Sequence, residues 1–160
     1  LIDQSKPLQG SAGIGAAKLF QDNVAYYAGA PPQAKAWKVP VYHPRKADQL
    51  IQYFYLQDQS LVLLGDAETH FYANGLRYPD FLDSRTGNVH SETAGAYVLS
   101  TSALAAQLLA HSVVLLSPEE TKALVQQRSA GTRVIRWQEQ LERLIPQEFH
   151  TEPPKASPRS

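Results

Sequence analysis

The stretch Gly95–Gln127, GAYVLSTSALAAQLLAHSVVLLSPEETKALVQQ, has the clearest alternation of strand and helix patterns in the chain. Ala96–Ser100 (AYVLS) predicts a strand, Ser102–Ala110 a short helix, and Ser112–Ser117 (SVVLLS) a second, buried strand. Ser117 and the Pro-Glu-Glu after it are typical of a helix start, because they combine a capping hydroxyl, a proline at the first helical position and a glutamate three residues after the cap. This order indicates an α/β fold whose sheet is at least partly parallel.

The N-terminal half continues the alternation of helix and strand. Gly13–Ala28 predicts a helix, since its apolar residues recur at steps that fit one helical face. Ala36–Tyr42 predicts a strand, and Pro40 indicates an edge position because proline removes a ladder donor. Lys46–Leu56 predicts a second helix, and Ser60–Gly65 (SLVLLG) a buried strand.

The middle and the end of the chain are more varied. Asn74-Gly75 predicts a tight hairpin turn, since this dipeptide is the most favoured in type I′ turns. Pro79–Glu92 is a long polar loop, and loops of this length tend to be functional or mobile. Thr132–Arg136 predicts a strand, and Trp137–Ile145 a last helix that Pro146 ends.

These elements predict a single α/β domain over residues 13–146, with a mixed sheet, helices packed on it and one Asn-Gly hairpin. Residues 1–12 contain proline, glycine and serine and predict a flexible N-terminal arm. Residues 147–160 predict a Pro/Ser-containing tail. The chain has 160 residues, which suits one domain with a sizeable core.

Composition excludes several classes of function. The chain has no cysteine, which excludes disulfide scaffolds, zinc–thiolate sites, iron–sulfur clusters and thiol nucleophiles. Its net charge of zero argues against a specific nucleic-acid binder, which carries a basic surface. No apolar run reaches the ~20 residues of a transmembrane helix. The first residue is not Met, so we expect either a processed mature protein or a domain of a longer chain; together with the absence of cysteine, this favours an exported or organellar mature chain.

One group of polar residues is a candidate for chemistry. If the strand from Ser60 continues, its period of two places Asp66, Glu68 and His70 on one face. Two carboxylates and an imidazole can bind a divalent metal or act as an acid–base pair, and His90 in the following loop could complete a metal site. The alternative is a turn after a buried strand, with solvated carboxylates.

A small basic cluster, His43-Pro44-Arg45-Lys46, precedes the helix predicted from Lys46. A solvated loop explains these residues, and an anion bound together with the helix N-terminus is the alternative.

Tyrosines are the candidate binding residues. Tyr53 and Tyr55 flank Phe54 in a predicted helix, so the three rings cannot all face one core. Tyr26 and Tyr27 form a second pair, near the N-terminus. Because exposed tyrosine is favoured at protein interfaces, these four residues predict a surface that binds a protein partner.

The sequence therefore favours a non-catalytic protein–protein interaction or assembly domain that needs no cofactor. The alternative is a small metal-dependent or acid–base hydrolase that uses Asp66, Glu68 and His70 with a divalent metal.

Overall fold

A computed structural model describes residues 14–67, 69–89, 92–141 and 143–151, with only the backbone of Leu76. In these ranges, seven strands come before the polar loop, within it there are two short strands, and three strands and two helices follow. They are β1 (Ala16–Gln21), β2 (Val24–Gly29), β3 (Trp37–His43), β4 (Lys46–Leu56), β5 (Gln59–Gly65), β6 (His70–Ala73), β7 (Leu76–Pro79), β8 (Leu82–Asp83), β9 (Asn88–Val89), β10 (Thr93–Ser100), α1 (Ala103–Val113), α2 (Pro118–Gln126), β11 (Arg133–Gln140) and β12 (Arg143–His150).

The centre of the fold is a six-stranded sheet in the order β1-β2-β5-β10-β11-β12. Each neighbouring pair in it is antiparallel. β10 is buried along its whole length, so its residues contribute side chains to both faces of the sheet. Three two-stranded sheets, β3-β4, β6-β7 and β8-β9, surround this centre.

The two helices cover one face of the large sheet. α1 begins at Ser102, whose side chain accepts the backbone N–H of Ala105. α2 has a complete capping box, in which Ser117 and Glu120 exchange side chain–backbone hydrogen bonds. Both helices pack on the side chains that point to this face, and the buried cluster includes Val62, Val98, Ala106, Leu109, Val113, Val125 and Val134.

The β3–β4 hairpin covers the opposite face. Phe54 and Leu56 of β4 pack against Leu61, Tyr97 and Trp137 of the large sheet in a second buried cluster. The central sheet is therefore enclosed by helices on one side and by a hairpin on the other, with apolar side chains alternating between the two clusters.

The predicted fold class was correct for a sheet with helices packed on it and wrong for α/β alternation with parallel strands. The described part of the helix predicted over Gly13–Ala28 belongs to the β1–β2 hairpin instead, with Asp22 in its turn at φ 50°. Lys46–Leu56 is a strand, and Trp137–Ile145 divides between β11 and β12. The apolar run Ser112–Ser117 completes α1 and connects it to α2.

Other predicted elements are confirmed. Strands occupy Trp37–His43 and Gln59–Gly65, and Pro40 lies in a two-stranded sheet, where a missing ladder donor is tolerated. Asn74 and Gly75 both have positive φ, as a type I′ turn requires. The helix start at Ser117 is also confirmed.

The structure describes the two ends of the chain to different extents. β12 continues to His150, beyond the predicted domain end at residue 146. The predicted N-terminal arm, residues 1–12, and residues 152–160 of the predicted tail lie outside the described residues. In the part of the chain that the structure describes, neither helix is long and apolar enough to cross a membrane.

Candidate functional site

A cleft of about 1270 Å³ opens beside β5. β2 pairs with β5 only from Val24–Val62 to Tyr27–Gln59, with one further bond from the Leu63 N–H to the Asn23 carbonyl. The remainder of β5, up to Gly65, extends past the end of β2 and forms the floor of the cleft. Its walls come from the β1–β2 turn, the C-terminal end of β3, the segment after β7 and the C-terminal end of α1.

His43, at the C-terminal end of β3, places an imidazole in the cleft wall. Its Nδ1 accepts the backbone N–H of Arg45 at 3.1 Å, which leaves the hydrogen of the neutral ring on Nε2. Burial, Lys46 and Arg45 lower the pKa of His43. The ring packs against Trp137, with centroids 5.4 Å apart. His43 is therefore an oriented, neutral hydrogen-bond donor.

Tyrosines form much of the apolar wall. Burial raises the pKa of Tyr97, and its hydroxyl donates to the Tyr42 carbonyl at 2.8 Å, which fixes β3 against the large sheet. Burial also raises the pKa of Tyr27. The Tyr27 ring lies beneath the ammonium of Lys18, which is 5.3 Å from its centroid. Both phenols are neutral and supply aromatic surface.

The charged residues of the cleft are few. Among the described residues, its lining contains one lysine, Lys18, and two aspartates, Asp22 and Asp80. Asp80 accepts the hydroxyl hydrogen of Thr69 at 3.0 Å. His111 and Leu115 bring the C-terminal end of α1 to the same wall.

Asp66 lies outside this cleft, in a buried network of ion pairs. Its side chain is fully buried and accepts two hydrogen bonds from Arg45, at 2.9 and 2.6 Å. Arg77 donates to the Asp66 carboxylate at 3.2 Å and to its backbone carbonyl at 2.6 Å. Arg45 also binds Glu139 at 2.9 Å. The Asp66 carboxylate, which the sequence suggested as a catalytic group, is thus held by two arginines.

Of the other predicted metal or acid–base residues, the structure describes only His70. Glu68 and His90 lie outside the described residues. His70 is half-buried on β6, where its ring meets that of Tyr72 edge-on and its Nδ1 has no hydrogen-bond partner. Within the described ranges, no group of three His, Asp or Glu side chains is placed to hold a metal ion.

The predicted binding tyrosines separate into two pairs. Tyr53 and Tyr55 are 43% and 66% exposed on the outer side of β4. Tyr26 and Tyr27 are each only 3% exposed and belong to the two cores, so they do not offer their rings to a partner protein.

Sequence reasoning did not single out the cleft residues His43, Tyr97 and Lys18. His43 was noted only as part of a basic cluster at a helix start, whereas it ends a strand and no helix begins there. The signal available was the dipeptide His-Pro after an alternating strand, which marks a polar side chain at a strand end.

Solved structures resemble this fold at low sequence identity. The apo flavinyl transferase ApbE of Pseudomonas stutzeri is 20% identical with a TM-score of 0.73, and 92% of this chain covers 45% of that one. The flavin transferase ApbE of Vibrio cholerae is 17% identical with a TM-score of 0.73, covering 92% and 47%. The ApbE protein of Thermotoga maritima is 19% identical with a TM-score of 0.67, covering 86% and 43%. The chain thus spans less than half the length of these structures.

A comparison with curated proteins gave no match. Residues 12–135, more than three quarters of the chain, match the ApbE family. The match to this family overturns the prediction of a non-catalytic assembly domain, and also its alternative, a hydrolase. The chain belongs to the ApbE family.

Proposed function

We propose that this chain binds a flavin in the cleft beside β5 and takes part in the transfer of the FMN group of FAD to a protein acceptor, in which the bond between the two phosphates of FAD breaks and AMP leaves. The observation that carries the proposal is the family match over residues 12–135. Because the chain spans less than half of the similar flavin transferases, the proposal concerns the part of the reaction that this cleft can serve.

The cleft has the size and surface that a flavin ring needs. Pockets for small molecules typically measure roughly 300–1,000 Å³ and are lined mainly by apolar and aromatic side chains. This cleft measures about 1270 Å³, somewhat above that range, and its exposed apolar surface comes from lining residues that include Phe20, Tyr42, Leu63 and Leu82. The flat isoalloxazine ring suits such a surface, and the bound flavin supplies the group that is transferred.

Two residues, His43 and Tyr97, orient the flavin in the cleft. His43 offers its Nε2 hydrogen to an acceptor atom such as a flavin carbonyl, since its Nδ1 is already engaged by the Arg45 N–H. Tyr97 donates to the Tyr42 carbonyl and keeps β3, and with it His43, in place. The apolar floor, including Leu63 and Leu64, excludes water from the ring.

The exposed tyrosines on β4 are a candidate surface for the protein acceptor. Tyr53 and Tyr55 project away from the core, and the ammonium of Lys38 lies 4.1 Å from the Tyr53 ring centroid. Exposed tyrosine is enriched at protein interfaces. The acceptor surface and the flavin cleft then involve different residues, which allows separate tests.

Titration with FMN, followed by quenching of flavin fluorescence, tests binding in the cleft. His43→Gln is expected to weaken binding by roughly fivefold to tenfold, because one hydrogen bond is lost. Tyr55→Ser is the matched control and should bind FMN like the original chain, since Tyr55 does not line the cleft. No quenching at millimolar FMN, or equal losses in both variants, contradicts the proposed site.

Transfer is tested by incubating the chain with FAD and total protein from a bacterial strain that lacks its own flavin transferase. A flavin-fluorescent band that survives denaturing electrophoresis and depends on the chain is the expected result. Tyr55→Ser should weaken this band while leaving FMN binding unchanged. A band of equal intensity with Tyr55→Ser contradicts the acceptor surface, and no band contradicts the transfer activity.

A further inference from the structure

The cleft is poorly suited to phosphate. Proteins bind phosphate with arginine, lysine, helix N-termini or clustered backbone N–H groups. Among the described residues that line this cleft, Lys18 opposes Asp22 and Asp80, which leaves one net negative charge before histidines are counted. The ammonium of Lys18 also lies over three aromatic rings, at 4.9 Å from Phe20, 5.3 Å from Tyr27 and 5.9 Å from Trp37.

The helix terminus that lines the cleft has the wrong polarity for an anion. His111, Val114 and Leu115, at the C-terminal end of α1, form part of the cleft wall. A helix C-terminus carries a partial negative charge of about half an elementary charge, which repels phosphate. The N-terminus of α1, at Ser102, does not line the cleft.

The arginines near the cleft are paired with other groups of the protein. Arg45 and Arg77 hold the buried Asp66, and Arg85 binds Asp83 at 3.1 Å and donates to the carbonyl of Leu115, a lining residue, at 3.3 Å. Arg136 is 1% exposed and donates to the Val113 carbonyl at the end of α1. In the part of the chain that the structure describes, no arginine lines the cleft.

We propose that the cleft recognises the uncharged part of the flavin, the isoalloxazine ring and its ribityl chain, and gains no affinity from the phosphate groups. The proposal rests on the proposed function and narrows it to one part of the ligand. Aromatic and aliphatic walls with the oriented donor of His43 contact the ring, and the phosphates of FMN or FAD extend toward solvent or toward a group outside the described residues.

The test compares riboflavin, FMN and FAD in the same fluorescence titration at low and high salt. We expect the three dissociation constants to agree within about threefold and to change little with salt, since no charge pair contributes to binding. Binding of FMN or FAD more than about tenfold tighter than riboflavin overturns the inference and leaves the proposed function intact. An increase of more than about tenfold in FAD affinity on addition of millimolar Mg²⁺ also overturns the inference. Failure of all three flavins to bind contradicts the proposed function itself.

Charge variants test the same point from the protein side. Asp80→Asn removes a negative charge from the cleft and should leave the ratio of FMN affinity to riboflavin affinity unchanged within about twofold, because the phosphate extends away from the lining. Asp48→Asn, an exposed position on β4 outside the cleft, is the matched control and should not alter the ratio either. If Asp80→Asn raises FMN affinity over riboflavin affinity by more than about fivefold and Asp48→Asn does not, the phosphate lies beside the cleft lining and the inference is overturned.

Discussion

Gly95 lies where β10 and β5 approach each other most closely. It pairs with Gly65 and follows an irregularity in the register of β10 with β11. A Cβ atom at position 95 would overlap the Leu64 carbonyl oxygen and lie 2.8 Å from the Gly65 Cα. These neighbours are backbone atoms in the centre of the sheet, so they cannot move aside without disturbing the ladder.

Gly95→Ala is expected to destabilise the fold by about 2–4 kcal/mol, because the new methyl group must displace backbone. Urea unfolding followed by circular dichroism measures this change. Gly15→Ala is the matched control, since a Cβ there has no neighbour within 4 Å, and its stability should change by less than about 0.5 kcal/mol. Equal stability of the two variants would show that β10 and β5 are not this close.

Asp66 shows how far a single residue can be interpreted from sequence. The sequence suggested either a catalytic or metal-binding carboxylate or a solvated one directly after an apolar strand, and in the structure the Asp66 side chain is fully buried. Its partners, Arg45 and Arg77, are 21 and 11 residues away in sequence. Glu139, which binds Arg45, is 94 residues away from that arginine. Such contacts depend on tertiary structure, so the sequence suggested a catalytic carboxylate where the fold has an ion-pair network.

At the scale of elements, α2 owes its start to the capping box between Ser117 and Glu120. The Glu120 N–H donates to the Ser117 hydroxyl at 3.2 Å, and the Ser117 N–H donates to the Glu120 carboxylate at 2.8 Å. Ser117→Ala removes the first of these bonds and should cost about 1 kcal/mol of unfolding free energy. Ser117→Asp keeps a capping oxygen and should recover most of that loss in thermal unfolding. An Asp variant as unstable as the Ala variant would contradict the role of the cap.

Elements with local chemical signals were predictable, and elements defined by their surroundings were not. The capping box and the Asn74-Gly75 turn depend on neighbouring residues only. β2 is buried on both faces, so its sequence Val-Ala-Tyr-Tyr-Ala lacks the alternation that identifies a strand. β4 is largely exposed in its first half, and the spacing of its apolar residues happens to fit a helix. The cleft was unpredictable for the same reason, since its lining comes from six separate segments of the chain.

For the whole molecule, the Asp66 network connects parts that are otherwise joined mainly by apolar packing. Arg45 belongs to the turn between β3 and β4, Arg77 to β7, and Glu139 to β11. The carboxylate of Asp66 thus fixes the β3–β4 hairpin and the β6–β7 hairpin to the C-terminal end of β5 in the central sheet. His43, two residues before Arg45, lies at the start of this turn. The network therefore also fixes the position of the part of the cleft wall that His43 forms.

Asp66→Asn should therefore destabilise the protein by about 3–5 kcal/mol, because it leaves two partly buried guanidinium groups without their shared counter-charge. Urea unfolding measures the loss. Glu148→Gln breaks the exposed pair with Arg133 and should cost no more than about 1 kcal/mol. Adding Arg77→Met to Asp66→Asn should restore part of the lost stability, since it removes one uncompensated charge. A loss for Asp66→Asn no larger than that for Glu148→Gln would mean that apolar packing alone holds the hairpins to the sheet.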